Sequence, residues 1–106
     1  MNFAKKVLDL IKFLPRTQIN LIHGDQVIRS SGSIGANYIE ANESIGDKDF
    51  KMKIKTCRRE SKESSYWLRL VITDGSKEME DERNYLRQEA KEFVLIFTAI
   101  LKKRGE

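Results

Sequence analysis

The chain has 106 residues, of which 34% are charged and 40% are hydrophobic, and its 20 Lys and Arg outnumber its 16 Asp and Glu to give a net charge of +4. A chain of this length and composition is expected to form one domain over residues 1–106 with a single modest core. No apolar run approaches the ~20 residues that cross a bilayer, so we expect no membrane span. One Cys and one His exclude a disulfide framework and a clustered metal centre. We therefore expect a cytoplasmic, mildly basic globular domain with no cofactor and no membrane partner.

The first helix is predicted over residues 2–14. Pro15 disfavours helical geometry at the residue before it, so this helix should end at Leu14. Its apolar residues recur at offsets typical of one helix face, and they are Phe3, Val7, Leu10, Ile11 and Leu14.

The second helix is predicted over residues 18–44, and its start is open between Gln18 and Asp25. Either Thr17 caps a helix that follows directly, or Asp25 caps one that begins after a loop. The predicted apolar face of this helix consists of Val27, Ile28, Ile34, Tyr38 and Ile39.

Glycine and serine are concentrated in the middle of this helix, over residues 30–36. One interpretation is a loop that separates two short helices, because each interior Gly costs about 1 kcal/mol relative to Ala. The interpretation that we favour is a continuous helix that a neighbour approaches closely along one line of small residues. At 100° per residue that line contains Gly24, Ser31, Gly35 and Asn42.

The third and fourth helices are predicted over residues 47–73 and 77–104. Gly46 is expected to end the second helix, with Asp47 as N-cap of the third and Ser76 as N-cap of the fourth. The third helix should bury Phe50, Ile54, Cys57, Ser61, Ser64, Leu68 and Val71, and the fourth should bury Leu86, Ala90, Phe93, Val94, Phe97, Ile100 and Leu101. Four amphipathic helices with short links predict an all-α, antiparallel up-and-down four-helix bundle.

Positive charge is concentrated on the third helix. Between Lys48 and Arg69 there are eight basic and three acidic residues, a net charge of +5. Most of the basic side chains fall within about 60° of one another along roughly 27 Å of helix, which is typical of a surface that binds a polyanion. The candidate nucleic-acid-binding residues, hereafter the basic row, are Lys51, Lys55, Arg58, Arg59, Lys62 and Arg69. The alternatives are a solvated charged face and a salt-bridge seam within or between subunits.

A row of polar residues lies on the second helix, opposite its apolar face. The row consists of Gln26, Arg29, Ser33, Asn37 and Glu40, and it is either a solvated face or a polar subunit interface. It lacks a His and a second acid at a defined spacing, so it does not predict general acid–base or nucleophilic catalysis. We therefore expect no enzyme, no catalytic residue and no metal ligand.

Four single residues are assigned from their position in the pattern. His23 is expected at the surface, and Cys57 is expected to be a buried thiol on the core line rather than a nucleophile. Tyr66 lies on the basic side of the third helix, whereas Trp67 lies at the core edge and is expected to be structural.

Four segments carry a resemblance to a known family, namely residues 26–42, 48–50, 58–63 and 66–69. They closely resemble the bacterial four-helix-bundle proteins encoded in intervening sequences of large-subunit ribosomal RNA genes, whose fold is similar to that of the accessory variability proteins of diversity-generating retroelements. The resemblance implies a cyclic homo-oligomer such as a pentamer. For the retroelement relatives it also implies nucleic-acid binding and contact with a reverse transcriptase.

Two function hypotheses follow from these patterns. The first is a non-enzymatic, oligomeric helical bundle that binds RNA or DNA with weak specificity through the basic row. The second is a protein-interaction module, in which the small-residue and polar faces of the second helix build a ring that binds a partner protein.

Overall fold

Four α-helices account for most of the chain. The computed structural model describes residues 2–106 and contains α1 (Phe3–Phe13), α2 (Gln18–Asn42), α3 (Asp47–Leu70) and α4 (Lys77–Lys103). Each helix packs against its neighbours in sequence, and α1 also packs against α4, so the four close into a bundle of 46 × 19 × 19 Å. No strand occurs within residues 2–106. The predicted all-α four-helix bundle is confirmed.

The junction between α1 and α2 is a short extended segment. Leu14, which precedes the proline, has φ −71° and ψ 153°, so α1 ends there. The hydroxyl oxygen of Thr17 accepts a hydrogen bond from the backbone N–H of Asn20 at 3.1 Å. Of the two starts considered for the second helix, the one capped by Thr17 is correct, and α2 runs on through Asp25 without a loop.

α2 is also continuous through its glycine- and serine-rich middle, so the interpretation of this segment as a loop is wrong. The hydroxyl of Ser30 donates to the carbonyl oxygen of Val27 at 3.4 Å, and that of Ser31 donates to the carbonyl oxygen of Ile28 at 3.2 Å. These local bonds satisfy the hydroxyls inside the helix, which lets small polar residues occupy a buried face.

A close helix approach occurs at one of the small residues of α2. A Cβ placed on Gly24 would lie 3.0 Å from Cγ2 of Ile11, so the absence of a side chain is what lets α1 pack here. A Cβ on Gly35 would have no neighbour within 4 Å. The predicted line of close approach therefore holds where α1 covers α2 and fails beyond it.

The link between α2 and α3 differs from the prediction. α2 ends at Asn42, and Gly46 is the N-cap of α3 with φ −129°, rather than the C-terminal glycine of α2. Asp47 is the first residue of α3 and not its N-cap. Its carboxylate pairs with Arg104 and Lys51.

The link between α3 and α4 is a tight turn. α3 ends at Leu70, three residues before the expected position, because the chain becomes extended at Val71. Asp74 and Gly75 follow with φ 53° and 77°, the left-handed conformation that reverses the chain. Ser76 then caps α4 as expected, since its hydroxyl oxygen accepts from the N–H of Met79 at 3.3 Å.

The core forms from all four helices. Its buried apolar residues are Phe3, Val7, Leu10, Leu14, Val27, Ile34, Ala41, Ile54, Cys57, Leu68, Val71, Leu86, Ala90, Phe97 and Leu101. Three members of the apolar face expected on α2 are not among them: Ile28, Tyr38 and Ile39 are 37%, 40% and 66% exposed. Small residues take their place, as at Ser30, whose hydroxyl lies 2.8 Å from that of Ser64.

The exposure of Tyr38 and Ile39 follows from the length of α1. With 11 residues α1 is about 16 Å long, whereas the 27 residues of α4 span about 40 Å. Phe3 packs edge-on against Phe93, near the middle of α4. The half of the bundle that contains the α2–α3 link, hereafter the upper half, consequently has no helix over the space between α2 and α4.

Candidate nucleic-acid interface

The basic row lies along one edge of α3. At 100° per residue, Ser65 falls beside the row on the side of the core, and its burial against α4 shows that this edge faces α4. The side chain of Lys55 is 44% exposed and that of Lys51 is 22% exposed. Arg59 points away from α4, and its side chain is 66% exposed.

Carboxylates of the same chain neutralise the upper end of the row. Lys51 Nζ lies 3.0 Å from Oδ2 of Asp47, and Lys55 Nζ lies 2.9 Å from Oε1 of Glu106. Asp47 also accepts from Arg104 at 2.7 Å, and the Arg104 guanidinium stacks on the ring of Phe50, 4.1 Å from its centroid. These contacts form an ion-pair cluster that joins the start of α3 to the end of α4.

Ionisation in this cluster follows from its geometry. The hydrogen bond from Arg104, with that from Lys51, lowers the pKa of Asp47 below its ordinary value. The hydrogen bond from Lys55 lowers the pKa of Glu106 in the same way. Both carboxyl groups are therefore ionised at neutral pH, and they pair with Lys51 and Lys55, two of the three lysines of the row.

The lower part of the row has no such compensation. Within residues 2–106, no carboxylate oxygen lies within 4.0 Å of the charged groups of Arg58, Lys62 and Arg69. Arg59 lies 3.8 Å from Glu60 and 3.9 Å from Glu63, which are loose contacts. The structure thus divides the basic row into a neutralised upper end and three cations without an ion pair within the described residues, of which Arg58 is near enough to Glu106 to contribute to its lowered pKa.

A lysine from α4 faces this uncompensated part. Lys62 and Lys91 line a shallow groove of ≈ 420 Å³ between α3 and α4, together with Ser65, Val94 and Leu95. Sequence reasoning missed Lys91, although α4 carries a recognisable signal. Its basic residues recur toward one edge, at Arg83, Arg87, Lys91 and Lys102.

The polar row of α2 lies along α3. Arg29 donates to Glu60 at 2.9 Å and to Glu63 at 3.3 Å, and Lys53 donates to Glu40 at 2.9 Å. The hydrogen bond that Lys53 donates to Glu40 raises the pKa of Lys53. Arg29 and Glu40 thus have partners within the chain.

The other members of the polar row interact locally or are partly covered. The Asn37 amide donates to the carbonyl and the hydroxyl of Ser33 at 2.9 and 3.0 Å, and Gln26 is half-buried. The row therefore contributes to the seam between α2 and α3 in the isolated chain.

His23 is not a simple surface residue. It is half-buried within α2 and stacks on Trp67 of α3, with ring centroids 5.8 Å apart and an interplanar angle of 23°. Trp67 packs against the core as expected, and Tyr66 is 53% exposed beside it. The expectation of a surface histidine fails because its neighbour lies on another helix.

Cys57 is buried as expected and makes no redox pair within the described residues. Its thiol donates to the carbonyl oxygen of Ile34 at 3.5 Å. Burial raises the pKa of the Cys57 thiol to about 11, so the group remains protonated near neutral pH. This environment is the opposite of the one that activates a nucleophilic cysteine.

An apolar groove of ≈ 450 Å³ lies between α2 and α4 in the upper half, where α1 does not reach. This α2/α4 groove is lined by Gly35, Tyr38, Ile39, Phe93, Ile96 and Phe97. Two of the three exposed apolar residues of α2 that depart from the prediction, Tyr38 and Ile39, line this groove, and Ile28 does not. No other segment of the described chain covers it.

Two further classes of site are not found in the described part of the chain. Within residues 2–106, no group of three or more His, Cys, Asp or Glu side chains is arranged to hold a metal ion. No helix in this range is both long and apolar enough to pass through a bilayer.

Comparisons with known proteins agree with the fold. The model of the 23S rRNA-intervening sequence protein family matches residues 1–99. A crystal structure of a protein of unknown function from the S23 ribosomal protein family of Bacteroides thetaiotaomicron is similar, with a TM-score of 0.80 and 30% sequence identity. The alignment covers 95% of this chain and 93% of that one. No curated protein matches the chain.

Proposed function

The chain belongs to the 23S rRNA-intervening sequence protein family, and from its surface we propose that it is a non-enzymatic, oligomeric helical bundle that binds RNA or DNA through the basic row. The observation that carries this proposal is the lower part of the row. Arg58, Lys62 and Arg69 are held on one helix edge without a carboxylate oxygen of the described chain within 4.0 Å of their charged groups. A row of like charges repels itself unless an anion from outside is present.

The chemistry of the row determines the kind of binding. Lys and Arg that contact phosphates give affinity with little sequence preference, and each contact makes binding more sensitive to salt. Tyr66 is the one aromatic residue of α3 that is largely exposed near the row, so stacking on bases contributes little. We therefore expect weakly specific, salt-dependent binding that assembly of several copies would strengthen.

The test is filter binding of labelled RNA and DNA across a salt series. The variant Lys55→Glu/Arg58→Glu/Lys62→Glu should abolish retention at low salt. A matched control is Lys5→Glu/Lys12→Glu/Arg16→Glu, which makes the same charge change on exposed residues of α1 and its link, remote from α3. Equal loss in both variants, or no retention of the parent chain at low salt, contradicts the proposal.

The α2/α4 groove favours a second candidate function, a scaffold that assembles into a ring and binds a partner protein. Here we propose that a second copy of the chain covers the groove, because the groove is apolar and lies beyond the end of α1, and because the family resemblance implies a cyclic homo-oligomer. Exposed apolar surface of this kind is typical of protein–protein contacts. The ring would be pentameric by the same resemblance.

Light scattering of the purified chain tests this assembly. Ile39→Glu introduces a charge at the groove on a residue that is already 66% exposed, so the monomer should fold and the oligomer should dissociate. Ile45→Glu is the control, because Ile45 is fully exposed in the α2–α3 link. A parent chain that remains monomeric at high concentration contradicts the assembly, and a ring without nucleic-acid retention favours the scaffold.

A further inference from the structure

We propose that the polynucleotide lies in the groove between α3 and α4, as a single strand whose phosphates contact Lys91 and Arg87 of α4 as well as Lys62 of α3. This inference rests on the proposed function and extends it from a row on one helix to a site with two basic walls. The second wall belongs to α4, whose basic residues the sequence analysis did not assign to a site.

The geometry of α4 places its basic residues together on the edge that faces α3. At 100° per residue, Arg87, Lys91 and Lys102 fall within about 60° of one another. Arg83 fixes the direction of this edge, because its guanidinium donates to the carbonyl oxygen of Val71 at the end of α3. The groove that contains Lys62 and Lys91 lies between the two edges.

The distribution of ion pairs singles out this groove. Eight of the 20 Lys and Arg side chains lie within 4.0 Å of a carboxylate in the described chain. Half of the other twelve line the α3 and α4 edges, and they are Arg58, Lys62, Arg69, Arg87, Lys91 and Lys102. Local carboxylates thus pair with the cations of the α2/α3 seam and with Lys51 and Lys55, and they leave the lower part of the α3/α4 edge positive.

Acidic residues of α4 do not offset this charge. Between Arg83 and Lys103 the helix has two acids, Glu89 and Glu92. Glu89 lies on the other side of α4, where it pairs with Lys6 of α1 at 3.7 Å, and Glu92 falls about 100° from Lys91. The positive potential of the groove is therefore not cancelled along its middle.

One donor in the second wall lacks a partner. Nε of Arg87 is buried and has no hydrogen-bond acceptor in the described chain. An unpaired buried donor is costly, and a guanidinium binds phosphate oxygens with charge-assisted hydrogen bonds. Because Nε is shielded from solvent, a phosphate at the mouth of the groove would be contacted by the Nη groups of this half-buried side chain.

The size of the groove favours a single strand. A shallow groove of ≈ 420 Å³ between two packed helices can take up part of one sugar–phosphate chain but not a duplex. The floor contains Val94, and Leu95 at its rim is 70% exposed, so apolar surface is available to ribose and bases. A duplex would contact the rims alone.

The experiment compares Lys62→Gln, Lys91→Gln and the charge-matched control Lys5→Gln, with binding of fluorescein-labelled oligouridylate measured by anisotropy across a salt series. Each lost phosphate contact with a single strand should reduce the slope of log K against log salt by about 0.7. We expect this reduction for Lys62→Gln and Lys91→Gln and none for Lys5→Gln. All three side chains are on the surface, and circular dichroism checks that the variants fold.

The outcomes separate this inference from the proposed function. If Lys62→Gln lowers the slope and Lys91→Gln does not, the second wall is wrong while the basic row remains the site. If the parent chain does not bind, the proposed function fails first. Tighter binding of an RNA hairpin than of oligouridylate overturns the single-strand assignment, and equally tight binding of polyglutamate, with the same dependence on Lys91, overturns the nucleic acid as partner.

Discussion

Arg29 of α2 places Nη1 2.9 Å from Oε2 of Glu60 on α3, and the side chain of Glu60 is 4% exposed whereas that of Arg29 is 53% exposed. The pair is thus asymmetric, since the carboxylate has lost its water and the guanidinium has kept about half of its own. The arginine also reaches Glu63 at 3.3 Å, and Arg59 approaches Glu60 at 3.8 Å. This small network is the main electrostatic link across the α2/α3 seam.

We predict that Arg29→Met lowers the free energy of unfolding by about 1–3 kcal/mol, because it leaves the buried Glu60 carboxylate without its closest partner. The double variant Arg29→Met/Glu60→Leu should recover part of this loss, since an apolar pair can replace a buried ion pair. Urea unfolding followed by circular dichroism measures all the variants. Equal stability of Arg29→Met and the parent chain would show that Arg59 compensates Glu60 by itself.

Asn20 supports a second stability prediction, because it joins the two links at the lower end of the bundle. Its amide donates to the carbonyl oxygens of Pro15 and Ile72, both at 2.9 Å, and its Oδ1 accepts from the N–H of Ile72 at 2.7 Å. Asn20→Ala should cost at least about 2 kcal/mol, since partly buried backbone groups lose their partners. Asn42→Ala, at the exposed end of α2, is the control and should change stability little.

The glycines of α2 give a third prediction, in which the same substitution has a different effect on stability at two positions. Gly32 is exposed, and a Cβ there would have no neighbour within 4 Å, so Gly32→Ala should stabilise the chain by up to about 1 kcal/mol. Gly24→Ala should fail to deliver this gain, because its Cβ would lie 3.0 Å from Cγ2 of Ile11. Thermal unfolding of the two variants distinguishes them, and equal stabilisation would contradict the close approach of α1.

The Cys57 thiol gives a fourth prediction, on reactivity and pH. Burial raises its pKa to about 11, so in the folded chain it should react very slowly with iodoacetamide at neutral pH. Because the folded pKa exceeds the ordinary value of 9.0, stability from this group is complete below that value and declines as the pH rises toward 11. Cys57→Ala should remove this alkaline decline, and fast alkylation of the native chain would contradict the burial.

Helical periodicity was sufficient to predict the four helices and most of the core. It was not sufficient for α2, where Tyr38 and Ile39 lie exposed because α1 covers only half of the bundle's length. Periodicity identifies which residues share a face, but the length of the neighbouring helix decides whether that face is covered. Likewise, the burial of His23 depends on Trp67, which is distant in sequence.

The candidate site was predictable on one helix and not on two. The charges of α3 are dense enough for the basic row to be recognised from spacing alone. Lys91 could not be assigned to the same surface, because the register between α3 and α4 is fixed by packing rather than by a local pattern. The same holds for the partners of Lys55 and Arg29, each of which lies on a different segment of the chain.

The pairing of Lys55 with Glu106 leads to the fifth prediction, which concerns competition. The hydrogen bond from Lys55 lowers the pKa of Glu106, so this carboxylate is ionised at neutral pH and occupies a lysine of the basic row. Glu106→Gln should therefore strengthen polynucleotide binding about two- to fivefold at low salt, since an exposed ion pair is weak and easily displaced. Anisotropy titration with oligouridylate measures the change.

Glu43→Gln is the matched control for this competition, because it removes the same charge from an exposed position that has no ion pair in the described chain. An equal gain in both variants would mean that net charge, rather than release of Lys55, controls affinity. Because the folded pKa of Glu106 is depressed, its pairing contributes to stability above the ordinary value of 4.5 and is lost as the pH falls through the folded pKa. As the solution is acidified through that range, the affinities of Glu106→Gln and of the parent chain for the polynucleotide should therefore become more alike. Glu43→Gln should show no such change relative to the parent chain, because Glu43 does not pair with Lys55.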